Sequence, residues 1–160
     1  MATRETTAKD VLLALLDEAF DHPAWHGPTL RGSLRGVTAA QAAWRPGRRR
    51  HSIRELTVHA AYWKYTVRRR LNGEKHGSFA LEGSNWFGDA GDRTWKDDVA
   101  LLVEEHRKLR ASAAAFPERL LHKALDAQKR TAAFTIRGIA AHDRYHAGQV
   151  QLIKRLRGKA

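Results

Sequence analysis

The stretch AAHDRYHAGQVQLIKRL, residues 140 to 156, sets the strongest limit on how this chain folds, because a helical apolar pattern there encloses side chains capable of chemistry. His142 and His146 are four residues apart. A helical turn takes about 3.6 residues, so both imidazoles leave one helix face about 6 Å apart along the axis. Gln149 follows on that face, and Gly138, Ile139, Ile153 and Leu156 extend it in both directions as an apolar stripe. The pair therefore points toward an interior. A buried imidazole must be hydrogen-bonded or ligated, since an unsatisfied polar group in an apolar setting costs free energy. Two nitrogens so placed can grip one metal ion.

The spacing alone is a weak motif in a chain with nine histidines. A single inward histidine is more commonly a satisfied core residue than a ligand. His22 and His26 repeat the spacing, but Pro23 and Gly27-Pro28 interrupt any helix there. A third donor strengthens the case. HSIRELTVHAAYWKYTVRRRL, residues 51 to 71, opens with Ser52 three residues before Glu55, a capping box that starts a helix. Leu56, His59, Trp63 and Val67 then recur on one face, so His59 is also aimed at the core. Three imidazoles with an open coordination position are a familiar arrangement for a reactive metal site.

With these residues in place, the chain resembles the DinB/YfiT-like family of bacterial four-helix-bundle metalloproteins. The likeness is carried by Trp44-Arg45-Pro46, the HSIREL block ending at His59, the continuation AYWKYTVRRRL, and above all GIAAHDRYHAGQVQLIKRL. It implies an all-α four-helix bundle of up-down-down-up topology, with a long crossover loop between the second and third helices and residues 1 to 160 forming one DinB-like domain. It also implies a divalent metal held by one histidine of the second helix and two of the fourth, positions filled here by His59, His142 and His146. Nitrogen ligands suit zinc, nickel, iron or cobalt. Relatives include enzymes that transfer low-molecular-weight thiols to electrophiles, isomerases that use such a thiol as cofactor, and proposed hydrolases. The implied function is metal-dependent activation of a thiol or of water, of the thiol S-transferase or hydrolase type. The alternative is a metal-binding stress-related or assembly protein without catalysis.

Composition narrows the chemistry further. The 160 residues suffice for one well-filled core. There is no cysteine, which excludes disulfides, thiolate ligation and a cysteine nucleophile, so any metal must be held by His, Asp or Glu. No apolar run approaches the ~18 residues of a membrane span, and MATRETTAKD lacks the apolar core of a signal peptide. A cytoplasmic protein is expected. The net charge of +12 raises nucleic acid as a partner, but no reading motif accompanies it, and cations clustered at helix C-termini also complement the helix dipole. The expected partners are a small-molecule substrate and a second copy in a homodimer, with neither nucleic acid nor membrane. A basic lining would favour anionic thiols or acidic substrates.

Along the chain, Thr7 caps a first helix over 7 to 21 with a buried stripe of Val11, Leu12, Leu15, Leu16 and Ala19. Short segments follow over 28 to 35 and from Thr38, which with Gln41 forms another capping box. Trp25 and His26 are candidates for the pocket wall, with a core plug and a surface turn as the competing roles. Residues 72 to 93 form the long irregular stretch, whose Phe79, Trp86 and Phe87 cover the metal pocket, anchor the crossover or meet a second subunit. A third helix starts at Thr94-Trp-Lys-Asp97 and runs to about Phe116, with Val99, Leu102, Val103, His106, Leu109 and Ala113 inward and Glu104, Glu105 and Arg107 solvated. His106 is a polar core contact outside the site. Residues 117 to 134 hold a helical turn or a short hairpin, and Thr135 caps the fourth helix. Around the histidines, Gln149 and Glu55 are candidates to orient an imidazole or a bound water, with ordinary polar-core and helix-cap roles competing. Asp143 partners a basic neighbour, with a role in supporting a metal ligand also open; Trp63 packs the core rather than touching substrate, and Tyr62 and Tyr145 are candidate acids.

Overall fold

The structure is a computed structural model that describes residues 6–75, 77, 79–88 and 92–158. It is all-helical. The helices are α1 (Ala8–Phe20), α2 (Leu30–Ser33), α3 (Ala39–Ala43), α4 (Ile53–Asn72), α5 (Trp95–Ala115) and α6 (Ala132–Arg157), with a 3-10 turn at Glu118–Leu120. The four long helices predicted from periodicity are α1, α4, α5 and α6.

Local sequence explains where they begin. Thr7 with Asp10, Thr38 with Gln41, Ser52 with Glu55 and Thr94 with Asp97 form reciprocal capping boxes, each satisfying two backbone N–H groups that a helix start leaves free. Gly73 ends α4 in the left-handed conformation, φ 66°, which glycine adopts without a Cβ clash. The start of α6 differs from the predicted one. Thr131, not Thr135, is the cap, because residues 117–131 make both structures that the sequence allowed: the 3-10 turn, then a hairpin-like bridge between Ala124 and Thr131. The helix begins where that bridge ends, and the Thr135 hydroxyl donates to the Thr131 carbonyl at 2.8 Å.

Pairing between helices follows an order. Arg54 meets Asp98 and Lys64 meets His106, so contact positions rise together along α4 and α5. Lys9 meets Ala114 and Asp17 meets Arg110, so along α1 and α5 they run oppositely. The apolar core falls into two clusters. One gathers Leu12 and Leu16 of α1, Val67 and Leu71 of α4, Leu109 of α5 and Ile136 and Ile139 of α6. The other gathers Phe20, Ile53, Leu56, Ala60, Leu102, Val150 and Ile153.

Between them, in the sequence gap that each of α4, α5 and α6 leaves, sits a polar layer of Lys64, His106 and Asp143. The Lys64 and Asp143 side chains are wholly buried and ion-paired. Lys64 also donates to His106 Nδ1 at 3.3 Å, and Phe20 stacks on the His106 ring at 3.7 Å. Burial pushes His106 down to about 2, with the Lys64 ammonium acting in the same sense, so its ring is a neutral acceptor.

The loop between α4 and α5 is anchored by aromatic contacts. Phe79 and Phe87 pack at a tilt with ring centres 5.3 Å apart, and each lies 5.4 Å from the Tyr62 ring of α4.

Several predicted faces are rotated by one position. Val11 is 50% exposed and Phe20 is buried instead, because α1 turns its Leu12–Leu16–Ala19 edge to the core. On α6 the buried side runs through Ile139, Asp143, His146, Val150 and Ile153, which leaves Gly138 and Leu156 exposed. Glu105, read as solvated, is buried beside Arg68 and Lys108. Asp98, overlooked in the sequence, is fully buried between Arg54 and Arg93.

Candidate metal centre

The site is made by the N-terminal half of α4 and the middle of α6. His59 and His146 are buried, and His142 is half-buried beside them. Nitrogen donors of the three rings all lie within 4.8 Å of one another. The atoms that converge are the Nε2 atoms: His59 to His142 is 3.1 Å and His142 to His146 is 3.0 Å.

The far sides of two rings set their tautomers. His59 Nδ1–H donates to the Asn85 carbonyl at 2.7 Å, and His146 Nδ1–H donates to the Gln149 side-chain oxygen at 2.6 Å. A neutral imidazole carries one proton, so both Nε2 atoms then present lone pairs to His142 Nε2. His142 can donate to only one of them at a time in good geometry, and its own buried Nδ1 has no hydrogen-bond partner. Three lone-pair nitrogens crowded around one point fit a cation and fit one another poorly. Two nitrogens each about 2.1 Å from one ion stand at most about 4.2 Å apart, and the two contacts above fall inside that limit. Burial also keeps the rings unprotonated. It lowers His59, brings His142 down to about 3 with the neighbouring histidines adding to the effect, and brings His146 to about 4. The donor set can hold a metal ion.

Comparison with protein families is consistent with this arrangement: the model of the DinB superfamily matches residues 24–150, a span containing all three histidines. The chain belongs to the DinB superfamily. No curated protein and no solved structure matches it.

Within this DinB-superfamily chain the other expected site residues divide clearly. Gln149 does orient an imidazole. Glu55 does not: its carboxylate serves the capping box and accepts from Arg45 at 2.8 Å, on the helix-start side of His59. Asp143 takes the basic partner expected of it, and that partner is Lys64. Trp25, 98% exposed, forms no part of a core or pocket wall, and the exposed His26 offers its carbonyl to Arg144 at 2.9 Å, its ring lying 5.9 Å from that of Trp25. Tyr145 is exposed and meets the His146 ring edge-on at 5.3 Å, while Tyr62 packs among the loop phenylalanines. Trp63 is no plain core residue. Its indole N–H donates to the Asn85 side chain at 2.9 Å, and it lines a groove of about 150 Å³ that reaches His142.

The loop contributes more than the sequence indicated. Asn85 holds a positive φ of 63°, which places its carbonyl on His59 and its side chain on Trp63. Asn tolerates that conformation better than most residues, which was the one local signal available. Trp86 lies flat on His59, ring centres 3.9 Å apart, and His51 lies flat on its other face at 3.5 Å. Of the roles open to the loop aromatics, Trp86 covers the His59 ring, and Phe79 and Phe87 anchor the loop to Tyr62 of α4. No helix among the described residues is long and apolar enough to cross a membrane.

Proposed function

We propose that this protein binds one divalent metal ion through the Nε2 atoms of His59, His142 and His146, and that it is an enzyme using the ion to activate a thiol or water. The observation that carries the reading is the convergence of three Nε2 atoms, two of them fixed as lone-pair donors by Nδ1–H bonds to Asn85 and Gln149. A bound zinc, nickel or iron ion supplies Lewis acidity, which lowers the pKa of a coordinated thiol or water toward neutrality.

The chain's own residues supply the rest. Burial keeps the rings neutral, Asn85 and Gln149 hold their orientation, and Trp86 shields one face of His59 from water. The groove at His142 gives a substrate access from the α4–α6 side. That opening favours catalysis over a sealed metal-binding role. We also read the four long helices as an up-down-down-up bundle within one domain; the helix-to-helix pairing order of Arg54, Lys64, Lys9 and Asp17 supports this.

Elemental analysis of the purified protein, followed by thiol-consumption assays with and without a chelator, tests the function. Metal-dependent loss of thiol in the presence of an electrophile is expected. Bound metal without turnover of any thiol or ester would instead leave a non-catalytic metal protein.

A further inference from the structure

The groove that reaches His142 does not stop there. It is lined by Trp63, Val67, Arg70, Arg130, Phe134 and Ile139. At Arg130 and Phe134 it meets a second cavity of about 480 Å³, whose walls add Lys129 and Arg137. The two adjoin at those shared side chains, and their combined size suits a small organic ligand lying across Arg130 and Phe134.

No acidic residue lines either part. Asp126 holds Arg130 at 2.7 Å and also feels the charge of Arg70, whereas Lys129 and Arg137 make no ion pair among the described residues. Several other arginines near α4 and α5 are paired with carboxylates. Arg54 and Arg93 share Asp98, Arg107 has Glu104, and Arg110 has Asp17. The largest cavity on the α4–α5 side mixes Arg68, Arg93 and Lys108 with Asp97, Glu104 and Glu105, so its charges are matched within the protein. Among the cavities of the described residues, the pair at His142 combines an excess of cations over the single nearby carboxylate of Asp126 with an apolar floor and direct contact with one of the three histidines. Cations gathered along a low-dielectric wall focus a field that attracts anions, and an apolar floor rewards a ligand with a hydrocarbon body.

We propose that this pair of cavities binds a small organic carboxylate, with its apolar body over Phe134, Val67 and Ile139, its charged group among Arg70, Lys129 and Arg137, and its reactive end at His142. This names the substrate class of the metal centre and rests on that reading for catalysis, though not for binding.

The test is calorimetric titration of the metal-loaded protein with 4-phenylbutyrate and with its neutral amide. The carboxylate is expected to bind at least about tenfold tighter than the amide, to weaken with added salt, and to weaken about tenfold in the Lys129→Gln/Arg137→Gln variant, whose replaced side chains are at the surface. Equal binding of acid and amide, or unchanged carboxylate affinity in the variant, would overturn the proposal. Repeating the titration on the metal-free wild-type protein, beside a direct measurement of its metal binding, separates the two readings. Carboxylate preference that survives in a wild-type protein unable to bind metal upholds the carboxylate site and defeats the metal centre. Metal bound at full occupancy with no preference for the acid does the reverse.

Discussion

Lys64 on α4 and Asp143 on α6 are ion-paired with neither side chain exposed to solvent. The pair is one residue beyond His142 and five beyond His59, so it locks the two helices together at the level of the histidines. Burial lowers Lys64 and raises Asp143, each against the pull of its partner. Removing one partner leaves an uncompensated buried charge. Lys64→Met is expected to destabilise the metal-free protein by about 3–5 kcal/mol, whereas Lys64→Met with Asp143→Leu restores most of that loss. Urea unfolding of the three proteins measures it, and a single variant within about 1 kcal/mol of wild type would contradict the structural role.

His106 gives a pH dependence of definite sign. The groups facing it are Lys64 from α4 with Asp143 of α6 behind, Arg110 on its own helix, His22 just past α1 and Arg31 of α2. Its folded pKa is held at about 2, far below its ordinary value of 6.5, so below about pH 6.5 the unfolded chain takes up a proton that the folded chain refuses. Stability is therefore full above that pH and falls as the solution is acidified. His106→Gln, which keeps an acceptor for Lys64, is expected to flatten the slope between pH 6 and 4 by up to about 1.4 kcal/mol per pH unit. An unchanged slope would show that His106 titrates normally.

Gln149 touches His146 and lies outside the trio of donors. Gln149→Leu is expected to weaken metal affinity about ten- to a hundredfold, and Gln149→Glu, which retains an acceptor, to weaken it much less. Competition against a chromogenic chelator reads this directly. Equal affinities for all three proteins would mean that the His146 ring needs no such support.

Asn85 acts on His59 through its backbone, so the conformation matters more than the side chain. Asn85→Gly, which accepts positive φ freely, is expected to keep metal affinity within about threefold, while the β-branched Asn85→Val is expected to lose about tenfold or more. Trp86 offers the optical readout, because it is stacked on His59. Metal addition is expected to change tryptophan emission in wild type, with a much smaller change in Trp86→Phe.

The parts of this protein legible in the sequence are those governed by local rules. Capping boxes at Thr7, Thr38, Ser52 and Thr94 depend on residues three apart, and the inward aim of His59, His142 and His146 depends on helical period. What escaped reading depends on tertiary partners. Lys64 sits in AYWKYTVRRRL and resembles one more solvated cation until Asp143 and His106 arrive from two other helices. Asp98 looks like an acidic first-turn residue and is buried because Arg54 and Arg93 close over it. Glu55 lies one helical turn before His59 in the sequence, but its carboxylate is taken by the Ser52 backbone N–H and by Arg45. The Asn85 carbonyl carries no side-chain signature at all.

Calorimetric titration of metal-free protein with zinc, nickel and cobalt addresses the three-histidine centre most directly. One ion per chain is expected, with affinity falling at least about a hundredfold in each of His59→Ala, His142→Ala and His146→Ala and unchanged in His22→Ala and His26→Ala. No saturable binding by the wild-type chain, or binding that His142→Ala leaves intact, would contradict it.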